Sequence, residues 1–301
     1  MNILILGSEG FIGSHLVEFY KGQNGQVHGA DLYEVGTQLY HYHKISRLSP
    51  EYDEILQHTT FDLCINAAGS GNVPYSVTHP VSDFEANALD TVRILDGLRK
   101  FQPQCRYLHI SSAAVYGNPV QIPVHEESRL SPISPYGWHK LISESICKEY
   151  HSVFKVRVAI VRPFSVYGPG LRKQLFWDLA KKCETTKDQT IDLWGNGNES
   201  RDFIFIDDLI GAFNVVIDSS TFQADVYNIA TNIETSVHQA SKMFVGLFNP
   251  RTEIKFSNSV REGDPQNWCA DISRIQKLGF NPQVSMLDGI QRLVLWMKSQ
   301  K

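Results

Sequence analysis

A tyrosine and a lysine four residues apart are the clearest candidates for acid–base chemistry in this chain of 301 residues. Tyr136 and Lys140 stand at positions i and i+4 of a predicted helix over Tyr136–Val153, so both side chains lie on one helix face. A phenol titrates near pH 10, and ionising it near neutrality requires about 4 kcal/mol at roughly 1.4 kcal/mol per pKa unit. Because an adjacent ammonium group stabilises the phenolate, the pair is a candidate device for moving a proton.

A serine hydroxyl is predicted to join this pair. The strand predicted over Tyr107–Ile110 runs directly into the segment SSAAVYG, which contains Ser112. Active sites of open α/β sheets lie at the carboxyl ends of the strands, so Ser112 can hydrogen-bond a reacting oxygen there. The methyl groups of Ala113 and Ala114, which follow it, cannot act as acids or bases.

The first predicted strand leads into a glycine-rich turn. Gly7, Gly10 and Gly13 have the spacing GxxGxxG and open a helix that starts with Phe11 and Ile12. One glycine permits a tight turn, one lets the backbone approach a pyrophosphate, and one packs the helix against the strand. The amides and the dipole of the helix N-terminus then face the phosphates. A tight strand-to-helix turn needs glycine in any case, so the spacing alone is weak evidence for a phosphate site. Its position directly after the first strand strengthens that interpretation.

The second predicted strand ends at a carboxylate. Asp31 follows Gly13 by 18 residues, close to the spacing at which an acidic side chain accepts hydrogen bonds from the adenosine ribose. A carboxylate there repels a 2′-phosphate and favours NAD over NADP. Arg47 is the counter-argument, because a nearby guanidinium could tolerate that phosphate, so NADP stays open.

Short apolar runs alternate with helical patterns through the first half of the chain. This alternation predicts βαβ units and a doubly wound parallel sheet of the α/β class. After Arg162 the pattern is broken by prolines and by the turn at Gly195–Asn198, which indicates a smaller second lobe. The predicted strands are Asn2–Leu6, Gln26–Ala30, Leu63–Asn66, Tyr107–Ile110 and Lys155–Val161, and the predicted helices are Ile12–Tyr20, Val81–Lys100 and Tyr136–Val153.

Composition excludes several classes of protein. With 28 Lys and Arg against 32 Asp and Glu the net charge is −4, so no basic excess is available for nucleic acid. No apolar stretch reaches the length of a membrane span, and no basic leader precedes the first strand, so we expect a cytoplasmic protein without membrane contact. Five widely spaced cysteines are typical of reduced thiols. His41 and His43 alternate without a set of acidic or cysteine ligands, and we expect no metal site.

Taken together, the motifs resemble the extended short-chain dehydrogenase/reductases, in particular the nucleotide-sugar epimerases, dehydratases and reductases similar to UDP-glucose 4-epimerase. The resemblance covers nearly the whole chain, and several motifs occur in the right order. They are GxxGFIG at Gly7–Gly13, Ala67-Ala68, Asn87, SSAAVYG, YGWHK at Tyr136–Lys140, RPFSVYGPG at Arg162–Gly170, RDFIFIDD at Arg201–Asp208 and REGDP at Arg261–Pro265.

This resemblance implies a function for each motif. Tyr136 would be the general acid/base, Lys140 would lower its pKa and hold the nicotinamide ribose, and Ser112 would assist at the sugar oxygen. The implied cofactor-binding residues are Gly7, Gly10, Phe11, Ile12, Gly13, Asp31, Ala67, Ala68, Asn87, Ser111, Tyr136, Lys140 and Pro163. The implied nucleotide-sugar-binding residues are Ser112, Phe164, Ser165, Trp194, Arg201 and Arg261, with the two arginines on the diphosphate. Trp194 could instead fill the core of the second lobe.

The resemblance also implies domains and an assembly. We expect a Rossmann-type NAD-binding domain over residues 1–164, its sheet completed by a returning segment near 203–230. Residues 165–301 would mainly bind the nucleotide sugar. The helices Val81–Lys100 and Tyr136–Val153 resemble the pair that forms a four-helix dimer interface in this family, so a homodimer is expected.

The motifs leave two reactions open. Family dehydratases carry an Asp-Glu pair where this chain has Ala113 and Ala114, and family decarboxylases place a glutamate in the same loop. What remains is hydride transfer at one sugar carbinol. Asp31 favours an NAD-dependent 4-epimerase. An NAD(P)H-dependent 4-ketoreductase stays open because the chain departs from the family pattern in three places. Ser165 stands where many epimerases have an asparagine, Arg47 stands where an aspartate is common, and the segment between Asp31 and Ala67 is shorter than usual. A catalytically dead dinucleotide sensor or scaffold is the third possibility.

Overall fold

The computed structural model describes residues 1–23, 25–33, 40–47, 50–186, 189–259 and 265–300. These residues form two compact units. The first contains Met1–Gly117, Arg129–Pro163 and Phe213–Tyr227, and the second contains Asn118–Ser128, Phe164–Ala212 and Asn228–Lys301.

A seven-stranded sheet organises the first unit, with the strand order β10-β6-β5-β4-β1-β2-β3. The paired strands from β3 across to β6 run parallel. Strands β1, β4 and β5 are buried along almost their whole length, as expected for a parallel sheet covered on both faces. The strands are β1 Asn2–Leu6, β2 Gln26–Asp31, β3 His41–Lys44, β4 Leu63–Asn66, β5 Arg106–Ile110, β6 Arg157–Pro163 and β10 Gln223–Ile229.

Helices connect these strands in the pattern that the sequence predicts. The predicted helix Val81–Lys100 differs in one respect, because a π-helical turn at Glu85–Leu89 divides it. Such turns are rare and often occur at functional sites. The helices of this part of the chain are α1 Phe11–Gly22, α2 Tyr52–His58, α3 Val73–Thr78, α4 Pro80–Phe84, α5 Asp90–Phe101 and α6 Pro135–Phe154.

The predicted strands are confirmed within two residues at each end, and two further strands complete the sheet. Strand β3 is short and polar, with the sequence HYHK, so no apolar alternation marks it as a member of the sheet. It is an edge strand, and polar residues are common at edges because only one side of the strand is paired. Strand β10 lies beside β6 at the opposite edge.

The second unit contains two small sheets. In one, β9 pairs in parallel with β7 and antiparallel with β11, and in the other β8 pairs in parallel with β12. The strands are β7 Ser165–Tyr167, β8 Thr190–Leu193, β9 Ser200–Phe205, β11 Glu234–Ser236 and β12 Glu253–Phe256. The remaining helices are α7 Gln174–Thr185, α8 Ile206–Ser219, α9 Val237–Phe248, α10 Ser273–Gln276 and α11 Met286–Ser299.

All five cysteines are buried and unbridged. Among the described residues, no helix has the length and apolar character needed to cross a bilayer.

Candidate active site

Helix α6 begins at a serine cap that places Tyr136 in its first turn. Ser134 Oγ accepts a hydrogen bond from the Gly137 amide at 3.2 Å, and a proline occupies the first helical position. A Cβ on Gly137 would lie 2.6 Å from the Ala114 carbonyl oxygen. Glycine at 137 therefore lets the first turn of α6 touch the 3₁₀ turn that follows Ser112.

The three predicted catalytic side chains come together in the first unit. Lys140 Nζ lies 6.0 Å from the centroid of the Tyr136 ring and donates a hydrogen bond to the Ile110 carbonyl at 3.0 Å. Ser112 Oγ accepts a hydrogen bond from the Ala114 amide at 3.1 Å, which fixes this side chain at the end of β5. The Ser112 hydroxyl also hydrogen-bonds the Tyr136 phenol.

Burial dominates the proton affinities of the tyrosine and the lysine. It raises the pKa of Tyr136 to about 12, while the hydrogen bond with Ser112 lowers the pKa and the nearby Asp83 carboxylate raises it. Burial lowers the pKa of Lys140 to about 8, against the opposite effect of Asp83 and Glu144. The phenol is therefore protonated at neutral pH, and it becomes a base only when an added positive charge lowers its pKa.

The depressed pKa of Lys140 predicts a dependence of stability on pH. Its folded pKa of about 8 lies below the unfolded value of about 10.4, so the folded state carries the full cost of a buried charge below pH 8. This cost, at most about 3 kcal/mol, disappears as the pH rises from 8 to about 10.4. We expect Lys140→Met to unfold at a higher urea concentration than the parent at pH 7, and we expect the difference to shrink at pH 10.

The lost hydrogen bond to the Ile110 carbonyl offsets part of the gain in Lys140→Met. Lys148→Met is the matched control, because Lys148 is an exposed lysine of the same helix. A difference between Lys140→Met and the parent that is the same at pH 7 and pH 10 would show that the Lys140 charge is not the cause.

A buried ion pair links α6 to β6. Arg162 donates to both carboxylate oxygens of Glu144, at 2.8 and 2.6 Å, and neither side chain is more than 1% exposed. Ser111 donates to Glu144 at 2.6 Å, and Arg162 also donates to the Tyr116 hydroxyl at 2.7 Å. The pair thus connects both helix and strand to the segment that carries Ser112, the predicted catalytic serine. Glu144 is not among the predicted site residues, although its position four residues after Lys140 places it on the same helix face.

A second buried carboxylate lies near Tyr136 and Lys140. Asp83 of α4 is fully buried, and its Oδ2 lies 2.6 Å from Nδ1 of His139 in α6. Its charge acts on both Tyr136 and Lys140. No sequence pattern predicts this contact, because the two residues are 56 positions apart and meet only through helix packing.

The glycine turn has the geometry of a phosphate-binding loop. Gly7 adopts a φ of +76°, and a Cβ there would lie 2.7 Å from the backbone after β4. A Cβ on Gly13 would lie 1.9 Å from the Gly7 carbonyl oxygen, so this glycine lets α1 start against the loop. Gly10 is the N-cap and provides no side chain to cap the amides of Phe11 and Ile12. These first-turn amides face a position that suits an anion.

The carboxylate of Asp31 is turned toward that loop. Asp31 is buried at the end of β2, where its Oδ2 accepts a hydrogen bond from the Glu9 amide at 2.9 Å. Its Oδ1 accepts another from the Leu32 amide at 2.6 Å. An adenosine ribose bound beside the loop would present its hydroxyls to this carboxylate.

The segment after β4 lies beside the glycine turn, and the π-helical turn contributes a buried acceptor. The Ala67 amide donates to the Leu6 carbonyl at 2.9 Å, and the Ala68 amide donates to the side chain of Asn66 at 3.2 Å, so the segment is fixed beside the glycine turn. Asn87, in the π-helical turn, donates to the carbonyls of Ser70 and Asp83 at 3.3 and 3.0 Å. Its Oδ1 is buried and has no partner in the described part of the chain.

An orphaned buried acceptor is costly unless a donor reaches it. The glycine cradle, the uncapped amides of α1 and this oxygen of Asn87 together fit a bound dinucleotide. Pro163 ends β6 and is buried, and the Ser111 hydroxyl is engaged with Glu144.

Three of the predicted sugar-nucleotide residues lie close together in the second unit. The ring centroids of Phe164 and Trp268 are 5.9 Å apart, and Cζ of Arg201 lies 5.7 Å from the Trp268 ring centroid. Arg201 also donates to the carbonyl of Ser200 at 2.8 Å. Ser165 begins β7 and pairs with β9, the strand that carries Arg201. Trp268 is not among the predicted site residues, and its only sequence signal is its place three residues after the REGDP motif.

Besides Ser112, which lies in the first unit, two predicted residues of this group remain, Trp194 and Arg261. Trp194 is 63% exposed, so it does not fill the core of the second unit, and its indole is accessible to a ligand. Arg261 lies outside the described residues. The charge of Arg47 acts on Asp90 of α5.

The histidines of β2 and β3 form a stacked cluster. His28 Nδ1 lies 3.2 Å from His43 Nε2, and the His28 ring stacks on His41. Among the described residues, no three His, Cys, Asp or Glu side chains are arranged to hold a metal ion.

Comparison with known proteins links this geometry to one family. The model of the NAD dependent epimerase/dehydratase family matches residues 3–230. A Bacillus subtilis protein described as an uncharacterized UDP-glucose epimerase, YtcB, is 30% identical over 99% of this chain and 98% of its own length. The UDP-glucose 4-epimerase of Mycolicibacterium smegmatis is 26% identical over 100% of this chain and 99% of its own length.

A solved structure has the same fold over the full chain. The UDP-glucuronic acid 4-epimerase of Bacillus cereus, in complex with UDP-glucuronic acid and NAD, superposes with a TM-score of 0.90. It is 27% identical, and the match covers 100% of both chains.

Proposed function

Because this chain belongs to the NAD-dependent epimerase/dehydratase family, we propose that it inverts the C4 hydroxyl of a nucleoside-diphosphate hexose, with UDP as the first nucleotide to test. The observation that carries the proposal is the contact of the first turn of α6 with the serine turn, which puts Tyr136, Lys140 and Ser112 at one sheet edge. The names of the relatives support C4 as the reacting carbon.

The dinucleotide fits the first unit through the phosphate loop, Asp31 and Asn87. NAD held there would supply reversible hydride transfer at the sugar carbon, without net consumption of the cofactor. Tyr136 Oη takes the proton of the C4 hydroxyl and later returns it, which requires its pKa to fall from about 12 toward neutrality. Ser112 hydrogen-bonds the sugar oxygen, and the Lys140 charge favours the phenolate.

The second unit would mainly bind the nucleotide sugar. The guanidinium of Arg201, packed on Trp268, suits a diphosphate, and the exposed Trp194 suits a nucleobase. Ala113 and Ala114 favour epimerisation over dehydration of the sugar, because this turn has no carboxyl group to move the second proton that water elimination requires.

Identification of the bound cofactor and of the product tests the proposal. The purified protein is denatured and the released dinucleotide is identified by chromatography and absorbance. UDP-glucose, UDP-glucuronic acid and UDP-N-acetylglucosamine are then incubated with the protein without added cofactor, and the 4-epimers are measured by NMR. Retained NAD and inversion of one of these sugars would support the epimerase. Inactivity on these sugars, combined with oxidation of NADPH by a 4-keto-6-deoxy sugar nucleotide, would replace it with a 4-ketoreductase.

Apolar side chains on α4 and α6 support a homodimer. Val81 is 70% exposed and Trp138 is 52% exposed, and Phe84 and Ile142 are partly exposed on the same two helices. Helices α4 and α6 pack against each other in the first unit, so these side chains project from neighbouring helices. A second copy of these two helices would bury them.

We expect the double variant Val81→Glu/Ile142→Glu to be a monomer, because two carboxylates in each copy would be buried without partners. Light scattering after gel filtration gives the mass. Leu295→Glu, which changes an exposed leucine of α11, is the matched control and should leave the dimer intact. A monomeric parent, or a double variant with the mass of the parent dimer, would contradict this assembly.

A further inference from the structure

A tyrosine immediately before β3 reaches the phosphate-binding loop. The Tyr40 ring lies over Gly29 of β2, where a Cβ would be 2.4 Å from the ring carbon Cε2. Its hydroxyl is 3.2 Å from Ser8 Oγ and donates a hydrogen bond to Glu9 Oε1. Glycine at 29 is therefore the feature that lets this ring cross the strand to the loop.

The contact fixes an acidic side chain in the loop. Glu9 is exposed, so without Tyr40 its carboxylate would sample many rotamers. Burial and the hydrogen bond to Glu9 both raise the pKa of Tyr40, so its hydroxyl remains a proton donor at any physiological pH. Tyr40 thus holds the Glu9 carboxylate in one place.

The backbone of Glu9 adjoins the carboxylate at the end of β2. The Glu9 amide donates to Asp31 Oδ2 at 2.9 Å, so the two acidic residues are direct neighbours. The carboxylate at the end of the second strand is the group that meets the adenosine ribose hydroxyls of a bound dinucleotide. The residue whose backbone binds Asp31 therefore carries a second carboxylate, which Tyr40 holds on the same loop.

We propose that Glu9, positioned by Tyr40, is a second specificity-determining carboxylate that excludes dinucleotides with a 2′-phosphate. This inference rests on the proposed dinucleotide site. A phosphate monoester carries between one and two negative charges near neutral pH, so each carboxylate beside it repels it. An unmodified ribose hydroxyl is neutral and can donate to either carboxylate. The second carboxylate therefore acts against NADP and leaves NAD binding nearly unchanged.

A competition experiment measures this selectivity without using turnover. The purified protein is equilibrated with mixtures of NAD⁺ and NADP⁺ at low salt and separated from free nucleotide by gel filtration. The dinucleotides released on denaturation are then quantified. We expect Glu9→Gln to raise the ratio of bound NADP⁺ to bound NAD⁺ about tenfold, as for the loss of one close repulsive charge. Glu18→Gln is the matched control, because Glu18 is an exposed glutamate farther along α1, and it should leave the ratio within about twofold.

Tyr40→Phe tests whether the tyrosine acts through Glu9. The variant keeps the ring over Gly29 and removes only the hydroxyl, so we expect a smaller rise of about threefold. In the Glu9→Gln background Tyr40→Phe should have no further effect, because the carboxylate that it positions is absent. A purely structural role of the hydroxyl would lower binding of both dinucleotides and leave their ratio unchanged.

The outcomes separate this inference from the proposed function. A parent that retains neither dinucleotide would refute the proposed cofactor site. A parent that retains NAD⁺, combined with a ratio that changes in Asp31→Asn but not in Glu9→Gln, would overturn the inference about Glu9 alone.

Discussion

Tyr136→Phe is expected to lower the turnover number for C4 inversion by about a thousandfold, within the range that loss of a general acid/base causes. The substitution keeps the ring in the first turn of α6 and removes only the hydroxyl that Ser112 contacts. The amount of retained NAD and the urea midpoint should remain close to those of the parent, because the phosphate loop does not involve this hydroxyl.

Tyr150→Phe is the matched control for this experiment. Tyr150 is a buried tyrosine at the other end of the same helix, and its loss should leave turnover within about twofold of the parent. Ten per cent or more of parental turnover in Tyr136→Phe would remove the phenol from the proposed mechanism. A parent that binds NAD and does not turn over any sugar nucleotide would support the sensor or scaffold instead.

Arg162→Met should have the largest effect on stability, about 3–5 kcal/mol of unfolding free energy. It leaves the fully buried Glu144 carboxylate without its cation, and an uncompensated buried charge is among the costliest defects in a protein. The hydrogen bond from Arg162 to the Tyr116 hydroxyl is lost at the same time. Chemical unfolding in urea, followed by tryptophan fluorescence, measures the difference.

A second substitution keeps this prediction testable if the single variant folds poorly. Glu144→Met/Arg162→Met replaces the ion pair with apolar side chains and should recover most of the lost stability, because no buried charge remains. Arg93→Met is the control, since the Arg93–Asp90 ion pair, whose side chains are 38% and 21% exposed, is expected to contribute only about 1 kcal/mol. Equal losses in Arg162→Met and Arg93→Met would contradict the role of burial.

The double variant also separates stability from positioning. The Glu144–Arg162 pair contacts Ser111, next to the proposed catalytic residue Ser112, and it anchors the helix that carries Tyr136. If the pair positions these groups, turnover stays low in the double variant even where its stability is restored.

Local patterns in the sequence determined much of the fold. The apolar runs of β1, β4 and β5 predict buried parallel strands because a strand covered on both faces has no need for polar residues. The spacing of Tyr136 and Lys140 places both on one helix face, and that geometry depends only on the helix itself. The glycines of the first turn and Asp31 at the end of β2 are equally local signals.

Contacts between distant segments required the tertiary structure. The Ala114 carbonyl lies against Gly137, so this position requires a glycine. Glu144 is paired because Arg162 reaches it from β6. Glu9 is held because the Tyr40 ring crosses Gly29 to reach it. None of these three contacts is marked by a period or a spacing in the sequence, since each depends on which strands are neighbours and how closely a helix approaches a turn. The sequence by itself thus determined which side chains can do the chemistry. The packing of the sheet and helices decided which buried charges hold them in place, because the energy of such pairs depends on separation and burial in space and not on distance along the chain.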